Sequence, residues 1–258
     1  MGPRRDPIVL TRTAMTTQSK CEARRWVVTG ASRGLGLAIA SLAARNGDRV
    51  ALFARGENVL NEAKIIGDNA IGLIADVTDP SALAGACEQV AERWGGIDVL
   101  VNNAGLHRGG LIGSLSQGDW QDVIDTNLSG PLNCVRAALP YVREGGSIVN
   151  IGAVVGLRGF AGDAAYGASK AGLAGLTQVL AVELARRGVR VNLVIPGMVS
   201  TEMTAGISPR AKAKLIESIP LGREGTADEL ANVVWWVAGS PYMTGSTISN
   251  DGGLLCRL

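Results

Sequence analysis

Tyr166 and Lys170 are four residues apart in a stretch rich in alanine and glycine. If this stretch is helical, the spacing places both side chains on one face of the helix. A lysine ammonium group stabilises a neighbouring phenolate, so the pair predicts that the pKa of Tyr166 lies below the usual value of about 10. Such a tyrosine can give a proton to a substrate and take one back. The pair therefore indicates acid–base chemistry.

A glycine-rich turn in the first fifth of the chain is the second chemical feature. It follows an apolar run, opens a helical pattern and has the spacing G-x-x-x-G-x-G. In such a turn the first glycine allows a tight bend, the second lets backbone N–H groups approach a pyrophosphate, and the third lets the helix pack on the strand. The residues predicted to bind a dinucleotide are Gly30, Ser32, Arg33, Gly34, Leu35 and Gly36. A glycine-rich turn without a ligand is the alternative.

The end of the second predicted strand indicates which dinucleotide would bind. NAD sites place an acidic residue there for the ribose 2′-hydroxyl, whereas NADP sites lack it and supply arginine. No carboxylate follows this strand before Glu57, and Arg55 and Arg33 could together meet a 2′-phosphate. Each arginine alone is equally compatible with a solvated surface charge. The pair, with the acid missing, favours NADP(H).

Composition argues against several other classes of protein. The 258 residues carry a net charge of +2, with no basic stripe interleaved with aromatic residues, so nucleic-acid binding is not expected. The four cysteines share no short spacing and there is one histidine, so neither a metal site nor a disulfide framework is expected. No apolar run reaches the roughly 18 residues of a membrane span. We expect a soluble cytoplasmic protein with no membrane partner.

Short apolar runs alternate with helical patterns from Arg25 onward. This alternation predicts the α/β class, with one Rossmann-type, doubly wound parallel sheet of about seven strands and helices on both faces. Residues 1–22 are expected to be a disordered extension, and residues 23–258 a single dinucleotide-binding catalytic domain. The predicted strands are Trp26–Thr29, Arg49–Phe53, Ala70–Ala75, Val99–Asn102, Ser147–Ile151, Val189–Val194 and Thr247–Asn250.

Capping signals and periodicity locate the helices. They are predicted from about Leu35 to Asn46, from Asp79 onward, from Asp119 towards Val142, through Tyr166 to Arg187, and from Thr226 to Gly239. The segment from Thr201 to Pro220 is weakly periodic and is predicted to be a mobile lid over the substrate. His107 is expected to be a surface or structural residue, and Trp235-Trp236 part of the core or of a subunit interface.

Taken in order, these motifs resemble the short-chain dehydrogenase/reductase family. The resemblance implies a homotetramer and adds Asn127 to the catalytic pair, as the holder of a water that links Lys170 to solvent. It also implies that Lys170 hydrogen-bonds the nicotinamide ribose. The further cofactor-binding residues that it implies are Asp76, Val77, Asn103, Ala104, Gly105, Tyr166, Lys170, Pro196, Gly197, Val199 and Thr201. Asp76 and Val77 would frame the adenine, Asn103 would line the adenosine side, and Thr201 would lie near the carboxamide.

Within that family the chain is similar to bacterial 3-oxoacyl-[acyl carrier protein] reductases, particularly in Gly152–Gly159 and Ile195–Met203. Polyol, steroid and quinone reductases share much of this pattern and remain alternatives. Acyl carrier protein is a candidate partner, since Arg187 matches a basic docking position, although Glu144 stands where a second basic residue is expected. Arg187 is equally compatible with a helix C-terminal residue that complements the dipole.

The catalytic serine of the family is replaced by Ala153, thirteen residues before Tyr166. Losing one hydrogen-bond donor to a developing oxyanion typically costs about 10²–10³ in rate. Ser147 is too far back on the strand to substitute, an ionised Asp163 would repel the oxyanion, and a water is the expected replacement. A non-catalytic NADP-binding protein, or an alanine introduced by engineering, also fits the sequence. NADPH-dependent reduction of a carbonyl is the favoured function.

Overall fold

A computed structural model describes residues 22–200 and 208–256 as a seven-stranded sheet with the order β3-β2-β1-β4-β5-β6-β7. Every strand pair is parallel. The strands are β1 (Arg25–Thr29), β2 (Arg49–Ala54), β3 (Ala70–Ile74), β4 (Ile97–Asn102), β5 (Val142–Ile151), β6 (Arg190–Pro196) and β7 (Thr247–Asn250). The single-domain Rossmann-type fold and its seven strands are therefore confirmed. The sheet order reverses between β1 and β4, and ligands of such sheets bind at that switch point.

Eight α-helices lie within the described residues. They are α1 (Gly34–Arg45), α2 (Asn58–Ile66), α3 (Pro80–Trp94), α4 (Gln117–Ile124), α5 (Gly130–Ala138), α6 (Ala164–Leu184), α7 (Pro209–Ser218) and α8 (Ala227–Gly239). The predicted starts at Asp79 and Thr226 are confirmed: Asp79 accepts hydrogen bonds from two backbone N–H groups, and Thr226 and Glu229 form a capping box. Within these residues no helix is both long and apolar enough to cross a membrane.

Two apolar layers cover the sheet, one on each face. On one face α1 packs against β1 and β2 through residues such as Ile39, and α8 packs against α1, β5 and β6 through residues such as Val234. On the other face α3, α5 and α6 contribute residues such as Leu83, Val135 and Leu180. All five residues of β1 are buried, which explains why the strands read as continuous apolar runs rather than as alternating ones.

The predicted helix from Asp119 towards Val142 is corrected in two ways. A π-helical segment, Asp125–Ser129, divides it, and α5 ends at Ala138. Pro140 follows closely, and because proline lacks an N–H and restricts the residue before it, the helix cannot continue. Val142 belongs instead to β5, which begins five residues earlier than predicted.

Two helices were absent from the sequence prediction. One is α2, and the other is α7, which lies inside the segment predicted as a mobile lid. Ser208 caps α7 by accepting a hydrogen bond from the N–H of Ala211, and Pro209 occupies its first position, where its missing N–H costs nothing. The rest of the predicted lid, residues 201–207, and most of the predicted N-terminal extension, residues 1–21, lie outside the described residues.

Candidate active site

The glycine turn joins β1 to α1 with a backbone that side chains would prevent. Gly30 and Gly34 have positive φ angles of 63° and 55°, which favour glycine. A Cβ on Gly30 would lie 2.8 Å from the Cα of Ala104, and one on Gly36 would overlap the Gly30 carbonyl oxygen. The turn therefore depends on two glycines for its shape and on a third for the close approach of α1.

Asn103 holds this turn against the end of β4. Its Nδ2 donates to the carbonyl oxygens of Thr29, at 2.9 Å, and Gly30, at 3.2 Å. Its backbone N–H and that of Ala104 both donate to the Thr29 hydroxyl at 3.0 Å. These contacts of Asn103 fix the shape of the turn from Gly30 to Gly36, which we call the cradle. The predicted contact of Asn103 with adenosine stays a prediction.

The cradle suits the dinucleotide that the sequence predicts. The first turn of α1 contains no acidic residue, and its unpaired N–H groups form a partial positive charge. Arg33 and Arg55 are both exposed beside it, and Asn58 Nδ2 ties α2 to the turn by donating to the Ser32 carbonyl at 3.2 Å. Backbone donors and two guanidinium groups are what a pyrophosphate and a 2′-phosphate require.

The loop after β3 forms the next wall. Asp76 Oδ1 accepts hydrogen bonds from the backbone N–H and the hydroxyl of Thr78, both at 2.9 Å. Val77 is buried, and a Cβ on Gly130 would come within 2.8 Å of its Cγ2, so α5 holds this loop in place. The position is compatible with the predicted contact with adenine.

Tyr166 and Lys170 lie on one face of α6, as their spacing predicts. Lys170 Nζ donates to the Ile151 carbonyl at 2.8 Å and lies 5.7 Å from the centre of the Tyr166 ring. Only 4% of Lys170 is exposed, and burial lowers its pKa to about 8. A cation with few polar neighbours is thus held directly beside the phenol.

The pKa of Tyr166 differs from the sequence prediction. Burial, with a smaller effect from the Asp163 carboxylate, raises this pKa to about 12 rather than lowering it. The expected acidification by Lys170 is therefore wrong for the protein without ligands, because the loss of water around the phenol outweighs the neighbouring ammonium. At neutral pH Tyr166 is a phenol, which is the form that can donate a proton.

Asn127 lies in the π-helical segment and is fully buried. Its Oδ1 accepts from the Leu106 N–H at 2.7 Å, and its Nδ2 donates to the Leu106 carbonyl at 2.8 Å and to the Ser169 hydroxyl at 3.2 Å. A Cβ on Gly105 would lie 3.6 Å from Asn127 Oδ1 and 3.8 Å from Lys170 Nζ. Asn127 and Lys170 therefore converge on Gly105, and the predicted water-holding role of Asn127 stays a prediction.

Ala153 lies two residues after the end of β5, with an extended backbone, and is 9% exposed. Ser147, on the same strand, is buried, and its hydroxyl has no hydrogen-bond partner among the described residues. The chain thus has the methyl group of Ala153 just after the carboxyl end of the strand, whereas the hydroxyl of Ser147 lies in the core.

The segment that leaves β6 approaches the last strand closely. A Cβ on Gly197 would lie 2.5 Å from the Cα of Asp251, and Val199 pairs with Gly225 through an isolated bridge. A cavity of about 370 Å³ opens here, between this segment and the start of α8. Pro196, Gly197 and Val199 are placed at its edge or nearby, whereas Thr201 lies outside the described residues.

His107 and Asp163 form a pair that the sequence interpretation missed. His107 Nε2 lies 2.7 Å from Asp163 Oδ1, and the histidine ring meets the Tyr166 ring edge-on, with centroids 5.1 Å apart and planes at 84°. The position of His107 just after Gly105, and of Asp163 just before Tyr166, was the available signal. His107 is 40% exposed, as expected for a surface residue, and it also contacts two residues of the candidate site.

The structure also shows the contacts of two further features named in the sequence analysis, Arg187 and the pair Trp235-Trp236. Arg187 donates to the carbonyl oxygens of Leu139 and Val142, at 3.1 and 2.8 Å, which fixes the end of α6 near β5. The ring of Trp235 packs on the core under the guanidinium of Arg24, whereas Trp236 is 55% exposed. The docking role of Arg187 stays a prediction.

Comparison with known proteins identifies the class. A family model described as "Enoyl-(Acyl carrier protein) reductase" matches residues 30–255. The chain superposes on a short-chain dehydrogenase/reductase mutant from Serratia marcescens with a TM-score of 0.85 and 33% identity, covering 90% of this chain and 97% of that one. A blue fluorescent protein from a metagenomic library, solved in complex with NADPH, gives 0.84 and 34%, with coverage of 90% and 97%. The chain belongs to the short-chain dehydrogenase/reductase family.

Similar sequences narrow that class. The chain is 40% identical over 233 residues to the 3-oxoacyl-[acyl-carrier-protein] reductase FabG of Escherichia coli (strain K12), and the match covers 88% of this chain and 96% of the relative. It is also 40% identical over 237 residues to FabG of Staphylococcus aureus (strain Mu50), with the same coverage. The protein is therefore a FabG-like oxidoreductase of this family.

Proposed function

We propose that the protein uses NADPH to reduce a carbonyl to a hydroxyl, and that its substrate is a 3-oxoacyl thioester of acyl carrier protein or coenzyme A. One observation carries the proposal. Tyr166 and Lys170 stand side by side at the carboxyl ends of β4 and β5, next to the cradle shaped by Gly30 and Gly36. This arrangement supports a proton donor that acts beside a bound dinucleotide.

The choice of NADPH is supported by charge. Arg33 and Arg55 lie beside the cradle, and no acidic residue follows β2 before Glu57. A related protein is named as a complex with NADPH. The choice of a 3-oxoacyl thioester is supported by the names of the FabG relatives.

The residues of the cleft would act on the substrate oxygen. Bound NADPH would supply the hydride. Tyr166, a phenol at neutral pH, would donate its proton to the oxygen as negative charge develops there. Lys170, held by the Ile151 carbonyl, would stabilise the resulting phenolate, and Asn127 would keep the Leu106 backbone in place beside it.

The alanine at position 153 limits the rate of carbonyl reduction that we expect. It offers no hydrogen bond to the substrate oxygen, so turnover should be measurable but modest. We expect Ala153→Ser to raise the rate of NADPH oxidation with acetoacetyl thioesters at least about tenfold, because one restored donor is worth about 10²–10³. A panel of small ketones, including polyol-, steroid- and quinone-type substrates, separates the thioester assignment from other reductases of the family. The assignment to a reductase fails if both proteins bind NADPH and neither oxidises it with any carbonyl.

Ala153 also favours a second candidate function, a non-catalytic NADP-binding protein that keeps the fold. This candidate predicts tight NADPH binding and no turnover even in Ala153→Ser. Retention of Asn127, Tyr166 and Lys170 in one cluster supports the reductase instead, since a binding protein has no need of a buried lysine beside a phenol.

The proposal includes a cytoplasmic homotetramer. Val179 and Val182 on α6 are 54% and 78% exposed, and Trp236 on α8 is 55% exposed, so each helix has apolar surface for a second copy to cover. Light scattering should give a mass about four times the 26.7 kDa of the chain. Docking of acyl carrier protein is tested by comparing KM for a carrier-protein thioester in the wild type and in Arg187→Glu.

A further inference from the structure

Carbonyl reduction places negative charge on one oxygen, and a single phenol is one donor where such sites usually have two or more. Ala153, two residues after the end of β5, offers only a methyl group where the family resemblance implies a hydroxyl donor. We propose that His107, held by Asp163, is the second hydrogen-bond donor to the substrate oxygen. This inference rests on the proposed reductase function and adds a catalytic residue to it.

The first support is the way in which His107 is anchored. Its Nε2 is 2.7 Å from Asp163 Oδ1, although the two residues are 56 positions apart. Their loops are joined by a backbone hydrogen bond from the Gly110 N–H to the Gly162 carbonyl, at 2.9 Å. A Cβ on Gly109 would lie 3.1 Å from His107 Cε1, so glycine leaves room for the ring. The ring is therefore held in place at the mouth of the cleft.

The second support is that one ring nitrogen of His107 stays available to a substrate. Because Nε2 is bound to Asp163, the nitrogen left for a substrate is Nδ1, which has no hydrogen-bond partner among the described residues. The side chain is 40% exposed, and its ring lies edge-on to Tyr166 at 5.1 Å between centroids. In the protonated ring both nitrogens donate, so one can bind Asp163 while the other binds an oxygen beside the phenol.

The third support is the charge of Asp163. An isolated carboxylate three residues before Tyr166 would oppose negative charge on the substrate oxygen. Its Oδ1 is instead engaged by His107 Nε2 at 2.7 Å, and this contact offsets part of that charge. The proton delivered to the oxygen still comes from Tyr166, and His107 contributes only a hydrogen bond, so neither it nor Asp163 changes oxidation state.

The test uses two replacements of His107 in two backgrounds. His107→Phe keeps an aromatic edge against Tyr166 but removes the donor, whereas His107→Gln keeps an N–H donor. In the wild-type background we expect His107→Phe to lower kcat for acetoacetyl thioester about 10²-fold, and His107→Gln to lower it by less than about tenfold. In the Ala153→Ser background, His107→Phe should cost less than about tenfold, because the serine hydroxyl supplies a donor.

Controls make each outcome decisive. NADPH affinity, measured by fluorescence, should be unchanged in all variants, which excludes misfolding as the cause. The inference is overturned if His107→Phe keeps the wild-type kcat, or if it loses the same factor in both backgrounds, which would indicate that the ring only positions Tyr166. If the wild type and Ala153→Ser are both inactive with every carbonyl, the proposed function itself has failed, and this inference falls with it.

Discussion

The cleft has two ends, the cradle at the glycine turn and the reaction end around Tyr166, and different parts of the chain determine their structure. At the cradle the backbone conformation determines the structure, because Gly30 and Gly36 leave no room for a Cβ and the side-chain amide of Asn103 holds the turn. At the reaction end the side chains determine which chemistry is possible. Ala153 and the His107–Asp163 pair make this end differ from the pattern that the resemblance implies. Binding of the dinucleotide can therefore be kept while the chemistry beside it is altered.

The largest expected effect separates the two ends. Tyr166→Phe removes the proton donor and leaves the ring and the cradle in place. We expect kcat to fall about 10²–10⁴-fold, the range for loss of a general acid, with a much smaller change in NADPH affinity. Stopped-flow absorbance at the NADPH band gives the rate, and fluorescence titration gives the affinity. A variant that keeps most of its activity would show that the proton comes from elsewhere.

The converse change acts on the cradle. Gly36→Ala places a methyl group against the Gly30 carbonyl and Asn103 Nδ2. Overpacking of this kind costs about 1–3 kcal/mol, so NADPH affinity should fall roughly 10–100-fold. Gly85→Ala, in α3 with nothing within 4 Å of the added Cβ, is the matched control and should bind NADPH like the wild type. Equal affinity in both variants would contradict the account of the turn.

A smaller effect concerns pH. Because burial lowers the pKa of Lys170 to about 8, the ammonium is present below that pH and lost above it, while Tyr166 keeps its proton. We expect kcat/KM for reduction, which reports the free enzyme, to fall about tenfold per pH unit above about pH 8. In Lys170→Arg, whose charge persists, the remaining activity should lack this limb. A wild-type profile that is flat to pH 10 would remove Lys170 from the mechanism.

The smallest expected effect is spectroscopic. The chain contains one histidine, so every imidazole ¹⁵N signal of the untagged protein belongs to His107. Bonding to Asp163 predicts that Nε2 carries a proton, and Asp163→Asn should shift that signal and lower kcat with little change in KM. An unprotonated Nε2 in the wild type would show that Asp163 does not hold the ring as described.

Local signals predicted most of the fold and part of the site. The strands were predicted within a few residues except at the start of β5, because buried parallel strands read as apolar runs, and Thr226 and Glu229 gave the start of α8 through their capping box. Pro131, which lacks an N–H, is a local signal that the predicted helix is divided, but the π-helical geometry of the segment around the buried Asn127 is not encoded in a local pattern. The pair of His107 and Asp163 depends on two loops meeting, and the pKa of Tyr166 depends on burial; neither is encoded in spacing.

Transfer of the hydride is the central claim, and isotope labelling tests it most directly. The protein would be incubated with NADPH carrying deuterium at the transferable C4 position and with an acetoacetyl thioester, and the product analysed by mass spectrometry. The account predicts a 3-hydroxyacyl product one mass unit heavier, formed faster by Ala153→Ser and almost absent with Tyr166→Phe. Label that stays on bound NADPH in both the wild type and Ala153→Ser, whatever the carbonyl offered, would contradict it.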